Sequence, residues 1–237
     1  MIAAATADAL ARVEARAQDV FHAFESGFEP EDARVAQRGT NSVAALDPLS
    51  VVAPDGTYFA RSDSSGTTYS RDGRFTFEDG TLRGRDGAPI LGYSENGTLG
   101  PLRADPVDVA LGRHRDARLE RDGTLSYQRS SLDPRSGERR FERVVIGRVA
   151  LARFPAGTQP LRRDALHVLA PRGVKASLGR PGESGFGGLT LFARDLGRLD
   201  PVAGLMRLQE AYLSLEALRA AGQVRGGLDR EAMNLVK

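Results

Sequence analysis

The sequence predicts a mainly β protein: a β-rich, barrel- or sandwich-like domain flanked by N- and C-terminal helices that pair as a coiled coil. Three observations predict it. Asp-Gly and Asn-Gly pairs recur at Asp55-Gly56, Asp72-Gly73, Asp79-Gly80, Asp86-Gly87, Asn96-Gly97 and Asp122-Gly123. They are the strongest short-range hairpin signal, because Asp and Asn tolerate positive φ and Gly adopts it without cost. Short runs of β-branched and aromatic residues separate these turns. At both ends the apolar residues instead fall at alternating gaps of three and four, the a/d spacing of a helix seam.

In order along the chain, residues 3–26 read as the first helix, with Leu10, Val13, Ala17, Val20 and Phe24 as its seam. Gly27 ends the pattern and Pro30 stops its resumption. The seam suits either packing within the same chain or contact with other subunits. The domain plan is 1–28 as N-terminal assembly helix, then 29–48 as a polar linker or arm. The β-rich domain follows at 49–170, the Gly-rich return segment at 171–200, and the C-terminal assembly helix at 201–237.

Within the β domain only strands and turns are expected. Val51-Val52, Thr57 to Ala60, Thr67 to Tyr69, Arg74 to Phe77, Ile90-Leu91, Val107 to Val109, Ala117 to Glu120 and Leu125 to Tyr127 are the short candidates. The run Val145 to Phe154 alternates, with Val149, Leu151 and Phe154 toward a core and Arg148 and Ala150 away. Arg129 to Arg143 is polar and reads as a protruding hairpin loop. Glycines 179, 182, 185, 187 and 188 make the return segment weakly patterned and flexible. The last helix begins at Pro201, with Asp200 as its cap, and carries Leu205, Leu208, Tyr212 and Leu215. Gly222, Gly226 and Gly227 weaken it, and Leu228 to Val236 reads as a final turn or two.

Composition narrows the function. The chain has 237 residues and no cysteine, which excludes a disulfide frame and a thiolate metal site. Net charge is only +2, and the basic residues are nearly all arginine, so charge alone gives little support for nucleic-acid binding. The start Met1-Ile2-Ala3-Ala4-Ala5-Thr6-Ala7 lacks a basic region and a long apolar core, and is expected to be no cleavable signal. No apolar run is long enough to span a membrane. His22, His114 and His167 lack the spacing of a zinc site, no phosphate-cradling GxxxxGK[ST] is present, and no nucleophile elbow or carboxylate pair stands out. The expectation is no enzyme, no metal and no cofactor.

Tyr69-Ser70-Arg71-Asp72-Gly73-Arg74-Phe75 resembles the Tyr-Thr-Arg-(Asp/Asn)-Gly-x-Phe signature of bacterial flagellar rod and hook proteins. Pro48 to Val51, Gly56 to Phe59, Gly80 to Leu82, Gly87 to Gly92, Asp122 to Leu125 and Ile146 to Phe154 are similar to further family motifs in the same order. Gln209-Glu210-Ala211-Tyr212 resembles the family's Gln-Arg-Ala-Tyr near the end. The departures lie at the termini: the family's Asn-Asn-Leu-Ala-Asn is missing and its Ser-Asn-Val before the last helix is not evident. The resemblance implies a structural subunit of the flagellar basal body, with the proximal-rod type slightly favoured. It implies export through the flagellar apparatus without a cleaved signal, a periplasmic place in the basal body, and terminal helices that polymerise with the same and other rod or hook subunits. Tyr69, Arg71, Asp72, Gly73 and Phe75 are its motif residues. The alternatives are a secreted β-rich binding or adhesion module, or an Arg-rich nucleic-acid binder supported by Arg139-Arg140-Phe141 and Arg153-Phe154.

Overall fold

The computed structural model describes residues 2–23, 28, 42–63, 66–132, 138–164, 166–183, 185–197 and 200–235, the side chains of residues 2, 201 and 225–235 excepted. Phe24, the linker stretch 29–41 and the loop 133–137 lie outside the described residues. The protein is mainly β, with helix α1 (Ile2–Phe21) at one end, a short α2 (Pro106–Ala110) inside, and α3 (Pro201–Leu235) at the other end. It divides into two compact units, one helical and made from the chain ends, the other built almost wholly from 38–197.

In the helical unit α1 and α3 pack against each other. Asp200 caps α3 as its position predicts: its carboxylate accepts from the backbone N–H groups of Val202 and Ala203 at 2.9 and 3.1 Å. α3 runs without a break to Leu235, so Gly222, Gly226 and Gly227 do not end it. Three glycines lower the helix's intrinsic propensity by about 1 kcal/mol each without interrupting it.

The β unit holds a five-stranded sheet in the order Leu99–Pro101, Leu91–Ser94, Arg139–Val149, Thr124–Leu132, His114–Leu119. A six-stranded sheet runs Leu161–Arg162, His167–Leu169, Gly66–Ser70, Thr57–Asp63, Leu151–Arg153, Ser177–Gly179. Three two-stranded ribbons complete it: Ser42–Ala44 with Ala193–Asp195, Thr190–Leu191 with Val51–Val52, and Phe75–Glu78 with Thr81–Gly84. The return segment therefore supplies strands to the sheet and to two ribbons. The predicted loop at Arg129–Arg143 is regular antiparallel ladder as far as Leu132 and from Arg139 onward.

The main core joins residues of both sheets, including Phe59 and Leu151 from one and Leu119, Leu125 and Val149 from the other. Phe59 and Phe75 meet edge to face, centroids 4.9 Å apart. A second cluster gathers Tyr58, Tyr69, Ala150, Ala152 and Phe154. Phe154 is buried as expected, whereas Ala150, expected to face away, is buried with it and departs from the predicted alternation. The chain leaves the five-stranded sheet after Val149 and enters the six-stranded one at Leu151, so both faces are covered at the crossing.

Val107 to Val109, expected as a strand, is α2. Asp105 caps it, accepting from the Val107 N–H at 2.8 Å, and Pro106 occupies the first turn. A cap followed by proline outweighs a three-residue alternation.

Of the hairpin glycines, Gly56, Gly80, Gly87, Gly97 and Gly123 have positive φ, and Gly73 does not. Gly73 is required for a different reason: a Cβ there would stand 1.9 Å from the Val51 carbonyl oxygen. The signature stretch lies alongside Val51, whose N–H donates to the Gly73 carbonyl at 3.0 Å. Gly73→Ala should therefore cost about 2–3 kcal/mol by overpacking. Gly56→Ala, at φ +71° with open space around it, should cost only about 1–2 kcal/mol from the left-handed backbone. Urea unfolding of the two variants checks the order; equal losses would contradict the close approach.

Candidate functional site

The helical unit is the candidate assembly surface. Each helix hides one stripe of residues. On α1 it comprises Thr6, Ala9, Val13, Arg16 and Val20, continued by Ala23 just past the helix end, with Asp19 buried beside it; on α3 it comprises Gly204, Leu208, Ala211, Leu215, Leu218 and Gly222. Both keep gaps of three and four and share Val13, Val20, Leu208 and Leu215 with the seam read in the sequence, while at the positions between them the hidden residue is the one before Leu10, Ala17, Leu205 and Tyr212. Val13, Val20 and Leu208 are half-buried and Leu215 is 2 % exposed, as a seam requires. Leu10, Ala17, Leu205 and Tyr212 are exposed, so they are not seam residues of the single chain. Small residues at the hidden positions let helix backbones approach closely, and the larger residues next to them are left outside.

Those outside residues form a second pattern. Val202, Met206, Leu213, Ala217, Ala220 and Val224 are all exposed on α3. At 100° per residue this stripe lies opposite the hidden one: Leu213 and Leu215 differ by 200° about the axis. Leu205 and Tyr212, 54 % and 48 % exposed, border it. On α1, Ala3, Ala7, Leu10, Ala17 and Phe21 are also exposed, Phe21 at 80 %, but at about 100° from the hidden stripe they lie beside it and not opposite. A helix apolar on two opposite faces has more apolar surface than one neighbour covers.

The signature Tyr69 to Phe75 is a structural centre of the β unit. Tyr69 and Phe75 enter the two core clusters. Between them Arg71, 1 % exposed, pairs with Asp195 at 2.9 Å, also 1 % exposed. Its other donors reach the carbonyls of Thr57, Ala53 and Pro54 at 2.9, 3.3 and 3.4 Å. One guanidinium so ties the ribbon strand Ala193–Asp195 to the turn before Thr57. Asp72 is held from both sides: its N–H donates to the Ser70 hydroxyl, and its carboxylate takes Arg74 Nε and Nη2 at 2.9 and 2.7 Å. Asp195 was not singled out in the sequence. It lies 124 residues from Arg71, and nothing local marks it.

No protein-family model and no curated protein matches the chain. The flagellar resemblance therefore rests on the motif residues themselves.

Two further polar clusters stand in the β unit. His167 Nδ1 lies 2.7 Å from Asp164, and its Nε2 faces buried Arg61, which also pairs with Asp86. His167, Asp164 and Asp86 border an open cleft of about 640 Å³ with Ser62, Thr68 and Arg163. Among the described residues no group of three His, Asp or Glu is arranged to hold a metal ion, and no helix is long and apolar enough to cross a membrane. His114 stacks edge-on against Phe77, and His22 lies half-buried on α1 beside Phe21.

Buried Asp108 accepts from the Tyr127 hydroxyl and, at 2.7 Å, from Arg129 Nε. Burial pushes its carboxyl up, but these hydrogen bonds and the Arg129 and Arg113 charges outweigh burial and carry it below the ordinary carboxylate range. Burial and the Asp108 hydrogen bond push the Tyr127 hydroxyl up. A lowered folded-state value stabilises above the unfolded value, about 3.9, and that contribution is lost as pH falls through the folded value. Asp108→Asn should lower the urea midpoint at pH 7, by about 1–3 kcal/mol of stability, and should flatten the decline in stability below pH 4. An unchanged acid limb would contradict this linkage.

Proposed function

We propose that the protein is a structural subunit of the bacterial flagellar basal body, of rod type, that polymerises through its terminal helices. The observation that carries the reading is the pair of opposite apolar stripes on α3: one hidden within the chain, one exposed from Val202 to Val224. A self-contained binding or adhesion module needs only the first. A tube of helices, in which every helix touches several neighbours, needs both. In this reading α1 and α3 form a coiled-coil pair inside the tube, and the β unit, sandwich-like with its core between two sheets, forms the outer layer. The ordered motifs from Pro48 to Tyr212 support the same assignment.

The family's motif residues have a consistent part in it. Arg71, Asp72 and Gly73 fix the chain where the ribbon strand Ala193–Asp195 crosses it, so the signature acts as a clamp. The partners are further copies of the chain, other rod or hook subunits, and the flagellar export apparatus. The function is mechanical: holding a tube that transmits torque and surrounds an export channel. Deleting the gene in its own cell and imaging basal bodies tests the proposal. Basal bodies with missing or shortened rods, restored by the full chain, are expected. Complete rods and normal motility in the deletion strain would overturn it and favour the secreted binding module.

A further inference from the structure

The outer face of the sheet formed by His114–Leu119, Thr124–Leu132 and Arg139–Val149 has no part in the account so far. The inner side of these strands fills the core with Ala117, Leu119, Leu125 and Tyr127. Residues paired across a ladder share a face. The register sets Arg115 opposite Gln128 and Gln128 opposite Arg143; Arg118 opposite Ser126 and Ser126 opposite Val145; and Ser130 opposite Phe141. One outer face therefore carries three arginines around an aromatic ring, and Arg139, two residues from Phe141, adds a fourth. Phe141 is 62 % exposed, and Leu132, paired with Arg139, is 65 % exposed. Arg143 engages Glu120, while Arg115, Arg118 and Arg139 have no acidic partner among the described residues.

A patch of opposite character lies elsewhere on the β unit. The Ala104 N–H donates to the Gly80 carbonyl at 2.7 Å, and Gly80 sits against Val109. This joins the Asp79-Gly80 turn to the start of α2 and brings Glu78, Asp79 and Asp105 to one end, all exposed. Val107 and Leu111 beside them are 61 % and 55 % exposed; Arg103, bridged to Thr81, and Arg113, whose backbone N–H donates to the Asp108 carbonyl, are cations nearby. α2 meets the sheet through Asp108, which holds Tyr127 and Arg129. Those two residues belong to the opposite side from Phe141, so the acidic end and the arginine face point different ways.

We propose that the arginine face of one copy, anchored by Phe141, docks on the Glu78–Asp79–Asp105 end of a second copy. The patches match in charge, and each has exposed apolar side chains beside its charges. Because they are different surfaces, the contact is head to tail and propagates along an assembly. The inference rests on the polymer reading above and gives the β units a contact of their own, separate from the helices. A nucleic acid fits this face less well. Polyanion affinity grows with the number of phosphates neutralised, yet Arg143 and Arg148 are already held by Glu120 and Asp122. Leu132 and Val145 offer a phosphate nothing, whereas arginine and an aromatic ring around an apolar centre suit a protein interface.

The chain has no cysteine, so introduced thiols report cleanly. Full-length Ser130→Cys and Val107→Cys proteins, the first placing its thiol across the ladder from an intact Phe141, mixed and treated with a short bismaleimide, should give a mixed dimer that neither gives alone. Arg115→Glu with Arg118→Glu in the first protein should cut its yield about tenfold or more, and Glu78→Arg with Asp79→Arg in the second should restore it. Circular dichroism establishes that each variant is folded. No mixed dimer, a dimer insensitive to charge reversal, or Ser130→Cys dimerising with itself would each overturn the proposal. So would tight binding of a fluorescent oligothymidylate lost in the Arg115→Glu, Arg118→Glu protein. Leu213→Cys reports on the helices separately. Its cross-linking between copies without a 130–107 dimer leaves the rod reading standing and removes this contact; the reverse removes the helix tube and keeps the contact.

Discussion

Asp195→Ala should remove most of the stability of the β unit. The substitution leaves Arg71, 1 % exposed, as a buried guanidinium without its carboxylate. Breaking a buried pair by removing one partner costs about 3–5 kcal/mol, against a total of about 5–15 kcal/mol for a typical protein. Thermal unfolding should fall by roughly 10 °C or more for a chain of this size. Arg71→Met should cost at least as much, since it also abandons the carbonyls of Ala53, Pro54 and Thr57. The double variant Arg71→Met, Asp195→Leu should recover part of the loss, because no charge is then left buried alone. Circular dichroism melts of the three proteins decide the matter. Losses below about 1 kcal/mol, the range of a surface pair, would show that the pair is not the clamp described.

The second large effect separates the two stripes of α3. Leu215 is 2 % exposed, and Leu215→Asp places a carboxylate in the hidden stripe. It forfeits about 1.5–3 kcal/mol of apolar burial and adds the cost of burying a charge. α1, with 20 residues, is little longer than an isolated helix that is marginal in water, so α1 should lose its helicity in the free subunit. Leu213→Asp, two residues away and 57 % exposed, should change stability by no more than about 0.5 kcal/mol. Far-ultraviolet circular dichroism and hydrogen exchange of the chain ends check both. Equal damage from the two substitutions would mean that α3 has only one working face.

The hairpin grammar of the sequence carries most of the β unit, since Asp-Gly and Asn-Gly state a local backbone requirement that local residues satisfy. Where tertiary contacts decide, the local pattern fails in particular ways. Gly73 stands out in the sequence as a turn glycine, whereas its need comes from Val51, twenty-two residues earlier and invisible to a turn rule. The strands Thr190–Leu191 and Ala193–Asp195 are too short to show alternation, and their partners lie at the far end of the β unit. Val13, Val20, Leu208 and Leu215 are legible as seam residues, but the positions between them are displaced by one residue, since size favours Leu10, Leu205 and Tyr212. Close packing instead selects Ala9, Gly204 and Ala211. That same displacement is informative: large apolar residues next to a seam of small ones are what a second contact face looks like in sequence. Asp195 had no such signal, since a buried ion pair needs only proximity in space.

The claim that the exposed stripe of α3 is an assembly face has one direct measurement. A strain whose only copy of the gene carries Leu213→Asp and Met206→Asp is compared with wild type by electron microscopy of isolated basal bodies, after the purified variant has been shown to keep the wild-type melting curve. The expected result is a folded, stable subunit absent from rods, with rods truncated and cells non-motile. Normal rods containing the substituted subunit would contradict the account.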